Sequence, residues 1–565
     1  MSEQTGPAPF GASMQWALGW LFILSGLYIV NAFLALVGLH VYPFTLPLVV
    51  IVSLMGLSVL TKREGRPFAK RRLVLIAVAF LAVVVLFGYL VGAVWDSSHW
   101  GRGFYTEAVL RLAEGWNPIY DDASKVSELV LRSGKSFWYL DASLYAFLGH
   151  FEMAKSHTLL FAVPAFLLAR HCFARFTSER KRIATGAALL SLASPVAFSQ
   201  VFSFYADAAL AYAVQCFLFL ALLTLDEGYL HSDVLTVLAT LWLFILNAPA
   251  GGLRTALVLA FSFLIIVALL YKRSALRWFA LRGGLMLFAG FVILGFNPFM
   301  QNLVDTGSLL GKVDAAAGAM PTVLEGKTGL GRFLYSMIAS PDTASLGSNI
   351  IVQQFTALFH SAYAQPDVIL RGFGFIGGGL IVLSVLLVLA SGLAPQRVVA
   401  DDNAIYFDEN AEEEEAEDAE DGYLGRRITL LWLLLPTLAI ALFSPTLWWA
   451  RSVAVLWFVV PLAVMALSSR RSDGRSGTAR LLLMLAVLNV GLVALSALPA
   501  AKVQSNALEG YWQRMTNATD LPSDEDARLN NDLVVNYPVW NNLKKHGESE
   551  QAKRALWTKI EGLIH

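Results

Sequence analysis

An all-α, polytopic membrane protein is the fold class predicted for this 565-residue sequence, and three observations predict it. Hydrophobic residues make up 56% of the chain against 15% charged, with a mean hydropathy of +0.59, a balance foreign to soluble domains. The apolar residues fall in runs of about 20, the length at which a helix crosses a bilayer. Lysine and arginine collect in the loops between alternate runs, the bias that sets membrane topology. The formal net charge of +0 removes the basic excess on which duplex-binding domains depend.

Taken in order, the runs give about thirteen expected spans. The first two, 16–38 and 43–61, make an N-terminal helical hairpin within residues 1–72. The start "MSEQTGPAPFGASMQ" has neither the basic residues nor the cleavage site of a secretory leader, so the first run is expected to stay as a helix. The run 73–95 opens a membrane core over 73–395, continued by 157–174, 183–203, 208–225, a short 234–247, 255–271, 283–301 and 372–394. A C-terminal set within 428–499 adds 428–446, 452–468 and 481–499. Basic segments at 61–72, 174–182, 271–282, Arg426 with Arg427, and 469–480 all fall on one face. That face is expected to be cytoplasmic, with the N-terminus beside it, in a multi-pass protein of the plasma (inner) membrane.

The outer, extracytoplasmic face then receives the loops 96–156, 248–254 and 302–371, the turn around Trp449, and the tail 500–565. Within the first loop, 104–113 sets Tyr105, Ala108, Val109 and Leu112 on one helical side and Glu107, Arg111 and Glu114 elsewhere. That pattern fits a helix lying in the interface and equally an ordinary surface helix. Loop 302–371, rich in Gly and Ser with short apolar pieces, is long for an unstructured connection and is expected to be a partly helical lid. Inside the cytoplasmic loop 396–427, the acidic run 401–421 cannot bury enough surface to order itself. It reads as a solvated segment, or else as a docking site for a partner. The tail has a helical-looking end and no catalytic pattern. Cys172 and Cys216, the two cysteines, lie in apolar runs and read as packing residues.

The chemistry-bearing residues sit at the outer ends of the expected spans: Asp96, His99 and Arg102 in the first loop, then Asp207, Arg254 and Arg451. Charges at membrane depth are costly, so those retained tend to face a cavity or one another; any single one is also accounted for as a snorkelling or salt-bridging anchor. A partly desolvated carboxylate can take the proton of a substrate hydroxyl. Arginine complements it, because its planar fork binds phosphate oxygens two at a time and stays charged when dehydrated.

The Asp at the head of the first large outer loop, the amphipathic stretch behind it, "GWNPIYD", "YAD" at Asp207, "NPFMQNLVDTGS" and "PTLWWARSVAVLW" together resemble the GT-C superfamily of membrane glycosyltransferases over roughly 73–460. The resemblance implies a GT-C-like helical fold and transfer of a sugar from a polyprenyl-phosphate donor to a glycan, lipid or protein acceptor of the cell envelope. It implies Asp96 as catalytic base, with His99, Arg102, Trp116, Asn117, Lys135, Asp207, Arg254 and Arg451 as substrate-binding residues. Departing phosphate is stabilised by cations in such a mechanism, so no cofactor is required. The divalent-metal question stays open, because "WDSSHW" carries His99 where many members have a second acid; "YDD" at 120–122 is the other acid pair. Trp116, Asn117 and Pro118 also read as a helix stop, and Lys135 as a solvent-exposed side chain. Competing readings are a polysaccharide polymerase or ligase acting on lipid-linked glycans, a lipid or glycan transporter, and a structural subunit of an envelope complex. A transporter predicts broken helices and charges near mid-membrane.

Overall fold

The computed structural model describes residues 11–65, 67–96, 98, 101–176, 181–226, 232–249, 251–270, 273–311, 328–338, 373–393, 429–444, 446, 449–468, 477–491, 502, 505 and 506. The acidic run 401–421, most of the tail 500–565, most of loop 302–371, and His99 lie outside these residues.

The architecture is an all-α membrane bundle. Among the described residues seven helices are long and apolar enough to cross a bilayer, or eight with a bent pair counted as one span. The long spans are α1 (Ala12–Leu36), α2 (Thr45–Arg63), α3 (Lys70–Gly92), Phe151–Ala174, Asp207–Leu225, Gly252–Leu269 and Ala450–Ser468. Shorter apolar helices, Arg182–Leu192, Ser232–Leu246, Ile376–Ser391, Thr429–Leu442 and Gly477–Gly491, lie at the remaining expected positions.

Burial sorts the long spans into centre and periphery. Most of Asp207–Leu225 and Ala450–Ser468 is enclosed, 89% and 94%, against 28% for α3. On α2 and α3, Ile51, Val52, Met55, Val74, Val78 and Val85 are exposed, an apolar surface suited to hydrocarbon rather than water. Helix α1 is held by polar groups that each meet a different neighbour. Trp20 Nε1 donates to the Leu160 carbonyl at 2.9 Å, Ser25 Oγ to Thr240 Oγ1 at 3.0 Å, and Asn31 Nδ2 to Ser143 Oγ at 2.8 Å. With no hydrophobic drive between helices in lipid, such bonds and close packing do the joining.

The segment between α3 and Phe151–Ala174 is largely helical among its described residues. A π-turn, Gly101–Tyr105, leads into α4 (Thr106–Ala113); Tyr105, Ala108, Val109 and Leu112 are buried and pack on α6 (Ser136–Leu148). Between them lies a short α5 (Glu128–Arg132), and after α6 a 3₁₀ turn, Phe151–Ser156, enters α7 (His157–Phe176). The aromatic run at 137–145 forms α6, buried as far as Leu144.

Two expected spans are broken. Run 183–203 divides into α8 (Lys181–Leu192) and α9 (Pro195–Gln200), because Pro195 forces Ser194 to extended backbone, ψ 134°. Run 283–301 is bent by 79° between Phe279–Ile293 and Phe296–Thr306. At the bend, a side chain on Gly295 would meet the Gly290 carbonyl at 2.3 Å, and Asn297 leaves helical geometry with ψ 122°. Beyond the breaks, α10 (Asp207–Asp226), α11 (Ser232–Leu246) and α12 (Gly252–Leu270) run close to their expected bounds.

Candidate functional site

A cavity of about 480 Å³ opens where six pieces of chain meet. Its walls are the first turns of α10 and α12, the loop at 132–134, the bent segment with the turn at 308–311, the end of Thr429–Leu442, and the stretch 449–455. Asp207, Arg132, Arg254 and Arg451 supply its charge, and Leu210, Val214, Ile440 and Val455 an apolar flank. The mix suits an anion carrying an apolar chain.

Asp207 and Arg451 form the centre. Arg451 Nε stands 3.1 Å from Asp207 Oδ2, with both side chains only 7% exposed. The guanidinium lies 4.1 Å from the ring centroid of Tyr205 and 4.2 Å from that of Trp449, two cation–π contacts that help hold the fork in place. Gln200 braces the other partner: its Nε2 donates to Asp207 Oδ2 at 3.4 Å, and its Oε1 accepts the Ala208 N–H at 2.9 Å. Local sequence places these groups. Pro195 starts α9 and so brings Gln200 to the turn before α10, while extended Trp449 lets a 3₁₀ turn carry Arg451 inward.

Arg254 projects from the first turn of α12, half-buried, and no carboxylate pairs with it among the described residues. Arg132 closes another side, bonded to Glu128 Oε1 at 2.8 Å and Asn302 Oδ1 at 3.4 Å, with Asp305 at 4.0 Å. Gly134 permits this wall, since a Cβ there would lie 2.4 Å from the Asn247 carbonyl oxygen.

The structure brings Asp207, Arg254 and Arg451 to one cavity, and Asp96, Trp116, Asn117 and Lys135 are not among the residues that line it. Asp96 is buried beside it: Oδ1 accepts from the Ser98 N–H and Oδ2 from the Phe204 N–H, each at 2.8 Å. Burial pushes its pKa up to about 6, with Lys155 opposing and Glu152 adding to the rise. Lys135, expected on one reading to be solvent-exposed, is instead 2% exposed. Its three ammonium hydrogens meet three acceptors, the Leu131 and Ser133 carbonyls and Asn297 Oδ1, and burial lowers its pKa well below the ordinary lysine value. Thus a cation can be withdrawn from solvent where the chain itself supplies every partner.

Trp116 and Asn117 are buried at the stop after α4, outside the cavity walls. Asn117 Nδ2 donates to the Ala35 carbonyl at 2.9 Å and its Oδ1 accepts the Ile119 N–H at 2.9 Å, which ties the loop to the end of α1. The acids of "YDD" close turns: Asp121 Oδ2 accepts from the Asn117 N–H and Asp122 Oδ1 from the Ser124 N–H. The latter bond lowers the Asp122 pKa. Arg102 lies in the π-turn Gly101–Tyr105, and its side chain, like His99, lies outside what is described.

Sequence reasoning missed Arg132, Tyr205 and Gln200 as parts of the site. Arg132 follows Glu128 by four residues and reads as a surface helix pair; Tyr205 stood in the quoted "YAD" without a role of its own, and Gln200 carries no motif. Among the described residues no group of three or more His, Cys, Asp and Glu could hold a metal ion. No family model, no curated protein and no solved structure matches this chain. On its own sequence and structure, it is a multi-pass, all-α integral membrane protein with seven or eight apolar spans among the described residues.

Proposed function

We propose that the chain is a membrane glycosyltransferase of GT-C type, with about thirteen membrane-crossing or membrane-buried segments, that transfers a sugar from a polyprenyl-phosphate donor to an envelope acceptor on the outer face. The observation that carries this reading is the cavity itself, in which one carboxylate and three arginines share a space flanked by apolar side chains. A polyprenyl phosphate is an anion on a hydrocarbon chain, and both halves find a matching wall. Arg254 and Arg451 hold the phosphate, with Arg132 at the rim.

In the proposed step the acceptor hydroxyl oxygen attacks the anomeric carbon as the bond from that carbon to the phosphate oxygen breaks. The electron pair leaves with the lipid phosphate, and the configuration at the sugar inverts. We assign the hydroxyl proton to Asp207 rather than Asp96, because Asp207 stands on the cavity wall while both Asp96 oxygens already accept backbone hydrogens. Phosphate drawing on Arg451 would loosen its pair with Asp207 and free that carboxylate to accept. Charge developing on the leaving phosphate meets cations already in place, the usual source of the largest catalytic gain.

The test is turnover of a panel of polyprenyl-phosphate sugars by purified protein in lipid. Transfer lost in Asp207→Asn and Arg254→Ala supports the reading; transfer by none of the panel, or unchanged in both variants, removes it. One observation favours a second reading, a lipid or glycan transporter: the span bent by 79° borders the cavity, as broken helices border transporter sites. Uptake or flipping of a lipid-linked sugar by proteoliposomes without transfer would establish it.

A further inference from the structure

Two buried ionisable side chains grip the peptide groups on either side of the Phe204–Tyr205 peptide, in the turn just before Asp207. The Phe204 N–H donates to Asp96 Oδ2 at 2.8 Å, and the Tyr205 carbonyl accepts from His157 Nε2 at 3.0 Å. Each grip has a second ionisable group behind it. The Asp96 N–H donates to Glu152 Oε2 at 3.1 Å, and Glu152 is paired with Lys155, which also donates to the Val94 carbonyl. His157 Nδ1 lies 2.9 Å from Asp141 Oδ1. A carbonyl oxygen only accepts, so His157 Nε2 carries its hydrogen, and the proton between Nδ1 and Asp141 fixes the ring.

Asp96, Asp141, Glu152, Lys155 and His157 are each no more than 4% exposed. Burying five ionisable groups around one short turn is costly, and closing the turn alone would not require it. What the turn carries is the Tyr205 ring, stacked on Arg451, and Asp207, paired with the same arginine. Neither Asp96 nor His157 lines the cavity. The turn is also crowded from the loop side: a Cβ on Gly101 would stand 2.6 Å from Asp96 Oδ2, so the π-turn presses against the carboxylate.

Resting on the reading of the cavity as a phosphate-ester site, we propose that Asp96 and His157 are positioning residues that fix the 203–206 turn and, through Tyr205 and Asp207, aim Arg451 at the phosphate. The two residues reach the turn from different directions, Asp96 from the first outer loop and His157 from α7. Together they couple the loop after α3 to the cation of the cavity, without contact between either residue and the ligand.

The experiment uses the full-length protein in phosphatidylcholine nanodiscs titrated with geranyl phosphate, with geraniol as the uncharged control. Wild type binds the phosphate ester and not the alcohol. His157→Leu, which removes the donor to Tyr205, weakens binding by about tenfold, and His157→Gln, whose amide N–H still reaches a carbonyl, restores most of it. Asp96→Asn, nearly unchanged in volume, gives a second weakened variant. Combined with His157→Leu it costs less than the product of the two effects, because both act on one turn. In a Tyr205→Ala background, His157→Leu has little further effect. Wild-type binding by both His157→Leu and Asp96→Asn, equal damage from Gln and Leu at 157, or full multiplicativity overturns the positioning role. If wild type itself fails to bind geranyl phosphate, the cavity reading falls and the proposal with it, before any variant is compared.

Discussion

Arg451 is paired with Asp207 at 3.1 Å and has the rings of both Tyr205 and Trp449 within 4.2 Å of its guanidinium, so three side chains hold that cation in place. A buried pair of this kind contributes little net stability, because desolvation of the two ions offsets their attraction. Breaking it is another matter. Arg451→Met strands the Asp207 carboxylate and is expected to destabilise by about 3–5 kcal/mol, whereas Arg451→Met combined with Asp207→Asn loses less. Thermal unfolding of wild type and the two variants in detergent checks this, and a double variant as unstable as Arg451→Met alone would contradict it.

Arg254 predicts the opposite pattern. It stands half-buried in the cavity wall with no carboxylate partner among the described residues, so Arg254→Ala is expected to change stability by no more than about 0.5 kcal/mol. Loss of a charge-assisted bond to a phosphate ester would weaken its binding by about 1.5–3 kcal/mol. Melting temperature and titration with geranyl phosphate, measured on the same sample, separate the two effects.

Asp96 gives a pH dependence of defined sign. Its carboxyl is raised from 3.8 to about 6, first by burial, so the folded state holds the proton more tightly than the unfolded one. The corresponding stability is fully present below pH about 4 and is lost as pH rises through about 6. Asp96→Asn removes that part of the slope. Unfolding curves of wild type and variant at pH 4 and pH 7 report it, and parallel pH profiles would refute it.

Gly134 predicts a steric effect at the cavity wall. A Cβ there would stand 2.4 Å from the Asn247 carbonyl oxygen, which also accepts the Ser136 N–H at 3.0 Å. Gly134→Ala is expected to cost about 1–3 kcal/mol as the loop shifts and to weaken ligand binding through displacement of Arg132. Wild-type stability in this variant would show that the loop yields freely.

Much of the membrane architecture is legible in the sequence, because a bilayer demands runs of uniform length and those runs need no knowledge of neighbours. The bounds of α10 and the start of Gly252–Leu270 are close to those expected from hydropathy. The breaks at Pro195 and at Gly295–Asn297 were written in residues that end helices, yet hydropathy averaged over them. Asp207, Arg254 and Arg451 stood out as charges at the ends of apolar runs. Lys135, expected as a phosphate contact or a solvent-exposed side chain, is instead buried with three acceptors from the chain itself.

By itself, then, the sequence determined that this chain is an all-α, multi-pass membrane protein and which few ionisable residues lie at the ends of its spans, since both follow from local composition. Only the tertiary structure decided which of those charges meet. Asp96 reaches Phe204 and Arg451 reaches Asp207 by the packing of helices far apart in sequence, and a charge's partners, not its type, settle whether it faces a cavity or holds a turn.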